Sequence, residues 1–545
     1  MHADLVLHSG SVLTLDDLST VEEAVAVRGG RILATGTTAD MLDLAGPATR
    51  RVDLGGGTVL PGINDSHLHA MWWAESRARI DLSAMTTLAE VQAAVRERAA
   101  TLPEDSWVIG QGWHERRLRG VGPEGPTAAD LAGLAGGRPV FLQHFSAHGG
   151  WLDPEGLRRA GITRGTADPP GGSFVRDPAT GEPTGIVRES AMLRVQEAIP
   201  APSDAERHAM LEDALRELSC RGVTSVTDPL VPAALLRDYV ALHNADRLAT
   251  RVGVLLNWGS YVTTSVPVVE EAMRYVGSTT GLGDDRLRVV GCKLMADGVA
   301  ALGTSWMSRP YPGHDHCGSL VTEGDDDAER VANLRRLIEI LHRHRFQVQV
   351  HATGDRACDA VVEAFAEVLA TDPWDARHVL IHANHPSPAS IATMARHGLI
   401  ANVNSLVKRQ AAAGLVDILD AEGWHRMMPS RDFLDAGVTV ADSSDAPVTD
   451  PHWPTALEML VTRVPLGFET PSGPDQRLSR EEALRAWTTA PAYQDRMEDR
   501  KGQVVPGMLA DLTVVEQDVP GVPDEDLHAL RVMMTVLDGR IVHEG

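Results

Sequence analysis

The sequence predicts an α/β protein: a (β/α)8 barrel of the TIM type, with an inserted subdomain and a composite β-sandwich built from both chain ends. Three observations predict it. Strand-like and helix-like runs alternate from about residue 222 onward. Both ends of the chain read as short strands separated by glycine turns. The stretch between the first barrel strand and residue 222 is too long for a single connection.

Residues 1–57 open the chain with "ADLVLHSGSVLTL", "EAVAVRGGRILATG" and "RRVDLGGGTVLPG". Residues 500–545 have the same character, in "GQVVPGMLADLTVVE" and "RVMMTVLDGRIVHEG". Alternating apolar residues and glycine turns imply hairpins. Neither end suffices for a core alone, so 1–57 and 500–545 are expected to pair. The barrel then occupies 58–499, interrupted by an insertion at about 75–205. Its first strand is expected at 58–69. The others are "GVTSVTDP" (222–229), "RVGVLLNW" (251–258), "LRVVGCKLMADG" (287–298), "FQVQVHATGD" (346–355), "HVLIHANH" (378–385), "LIANVNS" (399–405) and "VTVADSSDA" (438–446). Between them, "DAERVANLRRLIEILHRHR" places Val331, Leu334, Leu337, Ile338 and Leu341 at helical spacing. A doubly wound open sheet is the rival architecture for the same alternation.

Bulk properties narrow the function classes. At 545 residues the chain is too long for one compact core. Its 75 acidic and 50 basic residues give a formal charge of −25, which repels phosphate backbones and argues against nucleic acid. No apolar run is long enough for a membrane span. The opening "MHADLVLHSG" shows no secretory signal, and Cys220, Cys292, Cys317 and Cys358 have no CxxC spacing. A reduced, cytoplasmic setting is expected. Only Lys293, Lys408 and Lys501 are lysines; every other basic residue is arginine. That bias is expected of a GC-rich genome, and a lysine that persists against it is a candidate for work that arginine cannot do.

The stretch "PGINDSHLHA" places His67 and His69 two apart. On a strand, residues i and i+2 share a face, so both rings could grip one metal ion. The plain alternative is a pair of core or surface histidines. In "FQVQVHATG", Gln347, Gln349 and His351 share the face that would point into the barrel. His382 lies late in its strand, Asp445 closes another, and Lys293 lies mid-strand. Barrel active sites form at the C-terminal ends of strands, where these six residues would converge. Singly, each has a structural explanation: a hydrogen-bonded histidine, a helix cap, or half of an ion pair such as Lys293 with Asp297. The joint pattern points to a metal centre.

Several motifs carry a family likeness: "PGINDSHLHA", "GQGWHERRL", "DPPGGSFVRDPATGEPTGIVRES", "KLMADG", "VHATGDRACDAVVEAF", "IHANHPSP", "DSSDAPV" and "GQVVPGMLADLTVVE". With these the chain resembles the amidohydrolase superfamily, in its YtcJ-like branch (amidohydrolase family 3), which includes N-substituted formamide deformylases. The resemblance implies a metal-dependent hydrolase. His67, His69 and Asp445 would bind one ion, His351 and His382 a second, and Lys293 would bridge them as a carbamate. The ions would be zinc, with iron or manganese as alternatives. Asp445 would be the general base, and metal-activated hydroxide would attack the C–N bond of a small-molecule substrate. A homodimer is implied only at the level of the family. Three departures touch the substrate rather than the metal: Asn64, Asn404 in place of a glutamine, and the loop "ALGTSWMSRPYPGHDHCG".

Substrate-contact candidates are Trp113, His148, Glu189, Trp306 and Arg356, with Trp72 and Trp73 beside the histidine pair. Core packing or structural hydrogen bonding competes at each. His314 and His316 read as loop residues, and His342 and His344 as the end of a helix whose dipole favours positive charge. Three functions follow: hydrolysis of a linear amide or N-formyl or N-acyl amine; hydrolysis of a cyclic amide, carbamate, ester or lactone at the same site; or a catalytically silent binding or regulatory protein. Metal content would separate the third from the first two.

Overall fold

The computed structural model describes residues 2–545 except 115–117, 123–124, 145–148, 170–171, 190, 259–264, 278 and 417. It divides into two compact units, residues 1–73 with 208–545, and residues 74–207.

The first unit holds eight parallel strands in sequence order: β1 (Ile63–Asp65), β2 (Val223–Val231), β3 (Arg251–Leu256), β4 (Leu287–Met295), β5 (Val348–Ala352), β6 (Val379–His382), β7 (Ile400–Val403) and β8 (Thr439–Asp442). Each pairs with its sequence neighbour, as in Val226 opposite Val252 and Val350 opposite Leu380. The circle is nearly closed. Between β1 and β8, Ser66 Oγ donates to the Asp442 carbonyl at 2.9 Å, and the Asp445 amide donates to the His67 carbonyl at 2.9 Å. The open doubly wound sheet is therefore not the fold. Every residue of β2 is buried, as a strand flanked by helices requires.

Helices return the chain between strands, including Asp327–Arg343, Asp355–Thr371, Pro388–His397 and Trp453–Thr462. Asp327–Arg343 begins on an Asp326 cap that accepts from the Glu329 amide. It buries Leu334, Leu337, Ile338 and Leu341, as the periodicity predicts. One detail differs from the dipole expectation: His342 is buried within a hydrogen-bonded pair with His378 at 2.9 Å, and burial lowers its pKa.

The expected first strand, 58–69, is two strands. Thr58–Pro61 pairs antiparallel with Leu512–Val515, whereas β1 joins the barrel. The break is at Gly62, where a Cβ would stand 2.1 Å from Thr224 Oγ1. Only glycine lets the backbone pass that close. Strands from both chain ends share one six-stranded sheet, in which Thr58–Pro61 lies between Leu512–Val515 and Ser11–Leu13. A four-stranded sheet of Ala3–His8, Ala24–Arg28, Arg31–Gly36 and Ala45–Asp53 shares a core with it, including Leu5, Ile32, Val59, Leu512 and Val536. The second unit is built on a six-stranded sheet from Ile80–Asp81 to Pro183–Glu189, with the helix Leu88–Thr101 packed on it. Among the described residues, no helix is long and apolar enough to cross a membrane.

Candidate metal centre

His67 and His69 lie just past β1, in a turn rather than on the strand. Their convergence therefore does not come from strand alternation. Two backbone hydrogen bonds set it: Asp445 N–H to the His67 carbonyl and His69 N–H to the Ala446 carbonyl, both 2.9 Å. These lock residues 67–69 against 445–446. The two rings stand at 85° with centroids 5.5 Å apart. Both reach the same carboxylate: His69 Nε2 lies 3.4 Å and His67 Nε2 3.6 Å from Asp445 Oδ1. Trp72 stacks on His69 at 4.3 Å. Among the described residues, His67, His69 and Asp445 form a set of three whose ligand atoms lie within 4.8 Å of one another.

Asp445 sits three residues beyond β8, at φ 55°. His382 ends β6 at φ 69°. Left-handed backbone is uncommon for such residues and is held in place by its surroundings. His382 Nδ1 faces Asn404 Oδ1 at 2.5 Å, and Asn404 Nδ2 donates to Ser443 Oγ at 2.8 Å. The imidazole must therefore carry its proton on Nδ1, which leaves Nε2 free to ligate. His351, in β5, points Nε2 at the Gly298 carbonyl at 2.9 Å, which leaves Nδ1 free. Its ring centroid is 4.4 Å from that of His382. Lys293, mid-β4, brings Nζ to 3.3 Å from His67 Nε2. Among the described residues no ion pair joins Lys293 to Asp297. Asp297 instead accepts from the amides of Trp306, Thr353 and Gly354.

Burial dominates the electrostatics. It drives His67 and His351 well below the usual histidine range and His382 to about 4. It lowers Lys293 to about 7, against the opposing pull of Asp445. Burial raises Asp445, but its hydrogen bond to His69 and the attraction of the neighbouring imidazoles and Lys293 outweigh that, so it stays an anion. The result is four neutral imidazoles, one carboxylate and an amine that can lose its proton near neutrality. This donor set fits a divalent transition metal. A cavity of about 250 Å³ opens over it, walled by Trp72, Leu230, Met295, Leu415, Met427 and Met428.

The other candidates lie elsewhere. Trp113 is in the core of the second unit and donates to the Leu142 carbonyl at 2.8 Å. Glu189 ends a strand of that unit, and His148 lies outside the described residues. Trp306 donates through Nε1 to Asp327 at 3.2 Å, beneath the Arg356 guanidinium at 3.9 Å. Arg356 also pairs with Asp327 at 3.5 Å; neither it nor Trp306 lines the cavity. His314 and His316 stand 5.1 Å apart, and neither lines the cavity. Sequence reasoning read Asn404 only as a departure and missed its role in orienting His382. Asn384 and His385, which line the cavity, were also missed, although both sit in the quoted "IHANHPSP".

A parallel barrel with imidazoles and a carboxylate gathered past its strand ends defines a metal-dependent hydrolase. The chain belongs to the amidohydrolase family, whose model matches residues 50–543. It is 27% identical to the putative amidohydrolase YtcJ of Bacillus subtilis (strain 168), over 99% of each chain. It is 26% identical to an N-substituted formamide deformylase of Arthrobacter pascens, over 99% of this chain and 98% of that one. In fold it matches an uncharacterized metal-dependent hydrolase from Pyrococcus furiosus, with TM-score 0.75 and 22% identity over 94% and 99% of the two chains.

Proposed function

We propose that the protein hydrolyses a C–N bond of a small amide, of the N-formyl or N-acyl amine type, with His67, His69, His351, His382, Asp445 and Lys293 holding two divalent ions. The observation that carries this reading is the approach of His67 Nε2 and His69 Nε2 to one Asp445 oxygen, at 3.6 and 3.4 Å. Similarity to the formamide deformylase along nearly the whole of both chains supports the bond type. Divalent ions such as zinc supply Lewis acidity and lower the pKa of coordinated water to about 7.

The chain's own residues supply the rest. Lys293 has an amine of pKa about 7, which can add carbon dioxide and turn a repelling cation into a bridging anion. Asp445, kept ionised by His69 and its neighbours, takes the proton of the attacking water and delivers it to the leaving nitrogen. Without that proton the amine cannot depart. Asn404 and the Gly298 carbonyl hold the two imidazoles in the tautomers that bind metal.

The test is a hydrolysis screen of the metal-loaded protein over formamides, acyl amines, hydantoins, carbamates and lactones. Amine release from linear amides is expected. Turnover confined to lactones or hydantoins would reassign the bond. A purified, folded protein that retains no metal and hydrolyses nothing would sink the enzymatic reading.

A further inference from the structure

The cavity over the six residues has an unusual charge content. Of the described side chains that line it, only Lys293 and Asp445 carry formal charge in their ordinary states, and both belong to the proposed centre. Among the described residues, an acidic or basic substrate would meet no counter-charge there outside the proposed centre. Arg309 and Arg426 line an adjoining cavity of about 340 Å³ that shares His385 and Leu419 with the first. Both are already paired, Arg309 with Asp420 at 2.8 Å and Arg426 with Asp432 at 3.1 Å.

Two polar side chains in the wall have no partner. Asn384 is 93% buried, yet its carboxamide makes no hydrogen bond, and its Oδ1 is an unsatisfied buried acceptor. Its backbone is fixed, since the carbonyl accepts from the Met428 amide at 2.8 Å. His385 follows it, lines both cavities and likewise has no side-chain hydrogen bond. Burial keeps its imidazole neutral, with a pKa of about 4, so it offers one donor and one acceptor. Buried polar groups are rarely left without partners, and the Asn384 exception at a pocket wall points to a ligand that supplies one, with the half-buried His385 beside it as a second donor and acceptor.

Resting on the amidase reading above, we propose that this cavity selects uncharged, largely apolar amides carrying one hydrogen-bonding group, and that Asn384 and His385 recognise that group. The apolar walls take the hydrocarbon part. Amides of amino acids or other carboxylates are discriminated against, because a buried unpaired carboxylate is far costlier than a buried hydroxyl with a partner.

The experiment is calorimetric titration of the zinc-loaded full chain with N-alkylacetamides, N-(ω-hydroxyalkyl)acetamides of graded chain length, and ω-acetamidoalkanoates. At one chain length the hydroxyl compound should bind about two- to ten-fold tighter than its alkyl parent, the range of one neutral hydrogen bond. The carboxylate should bind more weakly than either. In Asn384→Leu and His385→Leu the hydroxyl preference should vanish while the alkyl parent still binds. Should either variant fail to fold, the wild-type ranking decides alone. Preference for the carboxylate, preference for the alkyl parent at every length, a hydroxyl preference that survives in both folded variants, or no binding of any member at millimolar concentration would each overturn the proposal. Hydrolysis of the same compounds is followed separately. Selective binding without turnover would sink the amidase reading and keep the recognition site; turnover without selectivity would do the reverse.

Discussion

The barrel interior treats similar side chains in opposite ways along its length. Toward the strand starts, Asp495 has both carboxylate oxygens engaged: by Thr227 Oγ1 at 2.9 Å, and by Asn64 Nδ2 and Lys501 Nζ at 2.9 and 3.0 Å. Nearby, Asn402 Nδ2 donates to Gln494 Oε1 and to Ser66 Oγ, both at 2.9 Å. Toward the strand ends, Lys293, His67, His69 and Asp445 face one another at the longer distances of 3.3 to 3.6 Å, and the buried His67 Nδ1 has no hydrogen-bond partner. Two buried lysines mark the contrast. Lys501 meets a carboxylate at bonding distance, whereas Lys293 meets an imidazole. A committed network stabilises the fold, and an uncommitted one is stabilised only by what it binds.

The largest expected effect tests the uncommitted end. Asp445→Asn should lower kcat by about 10²–10⁴-fold, since the amide retains an oxygen ligand but cannot accept a proton. Metal content, read by elemental analysis, should stay substantial. Near-normal turnover in a metal-loaded variant would remove Asp445 from proton transfer.

Next come the two lysines, which should fail in different ways. Lys293→Ala should lose metal and activity while remaining folded, and short carboxylic acids should partly restore both by supplying an anionic bridge. Lys501→Ala should instead leave Asp495 as an unpaired buried charge. A destabilisation of about 3–5 kcal/mol in denaturant unfolding is expected, with no rescue by carboxylates. Equal loss of stability in both variants would erase the contrast between the two ends.

The barrel was legible because its strands and helices carry different periods, and six candidate ligands could be named because each lies late or central in a strand-like run. What was not legible follows from contacts distant in sequence. The 58–69 run reads as one strand, because nothing local to Gly62 announces the approach of Thr224. His67 and His69 meet for a reason other than alternation, through hydrogen bonds to a segment almost four hundred positions away. The three rare lysines, Lys293, Lys408 and Lys501, are all buried, which their rarity in the sequence did not announce. Nor did it reveal their partners. Lys408 donates to the carbonyls of Trp424, His425 and Met427, which no spacing rule anticipates.

The smallest effect sharpens the comparison with a histidine pair outside the barrel's interior. Val348 N–H donates to His378 Nδ1 at 2.9 Å, so that ring carries its proton on Nε2 and donates to His342 Nδ1 at 2.9 Å. Trp374 Nε1 donates to the same His342 nitrogen at 3.2 Å, and His342 Nε2 faces the Asp372 carbonyl at 2.8 Å. All four ring nitrogens are committed when both rings are neutral, unlike those at the metal centre. Burial lowers both pKa values, that of His378 well below the usual range. The unfolded chain takes up these protons below about pH 6.5, while the native state resists. The pair's contribution is therefore full above that pH and shrinks as pH falls. His378→Gln should be less stable than wild type at pH near 7.5. Its stability should also fall less steeply below about pH 6.5, closing the gap by about 1–2 kcal/mol near pH 5. Other buried groups titrate alike in both proteins and cancel in the difference. Parallel pH profiles of unfolding free energy for the two proteins would show that the pair is not held neutral by the fold.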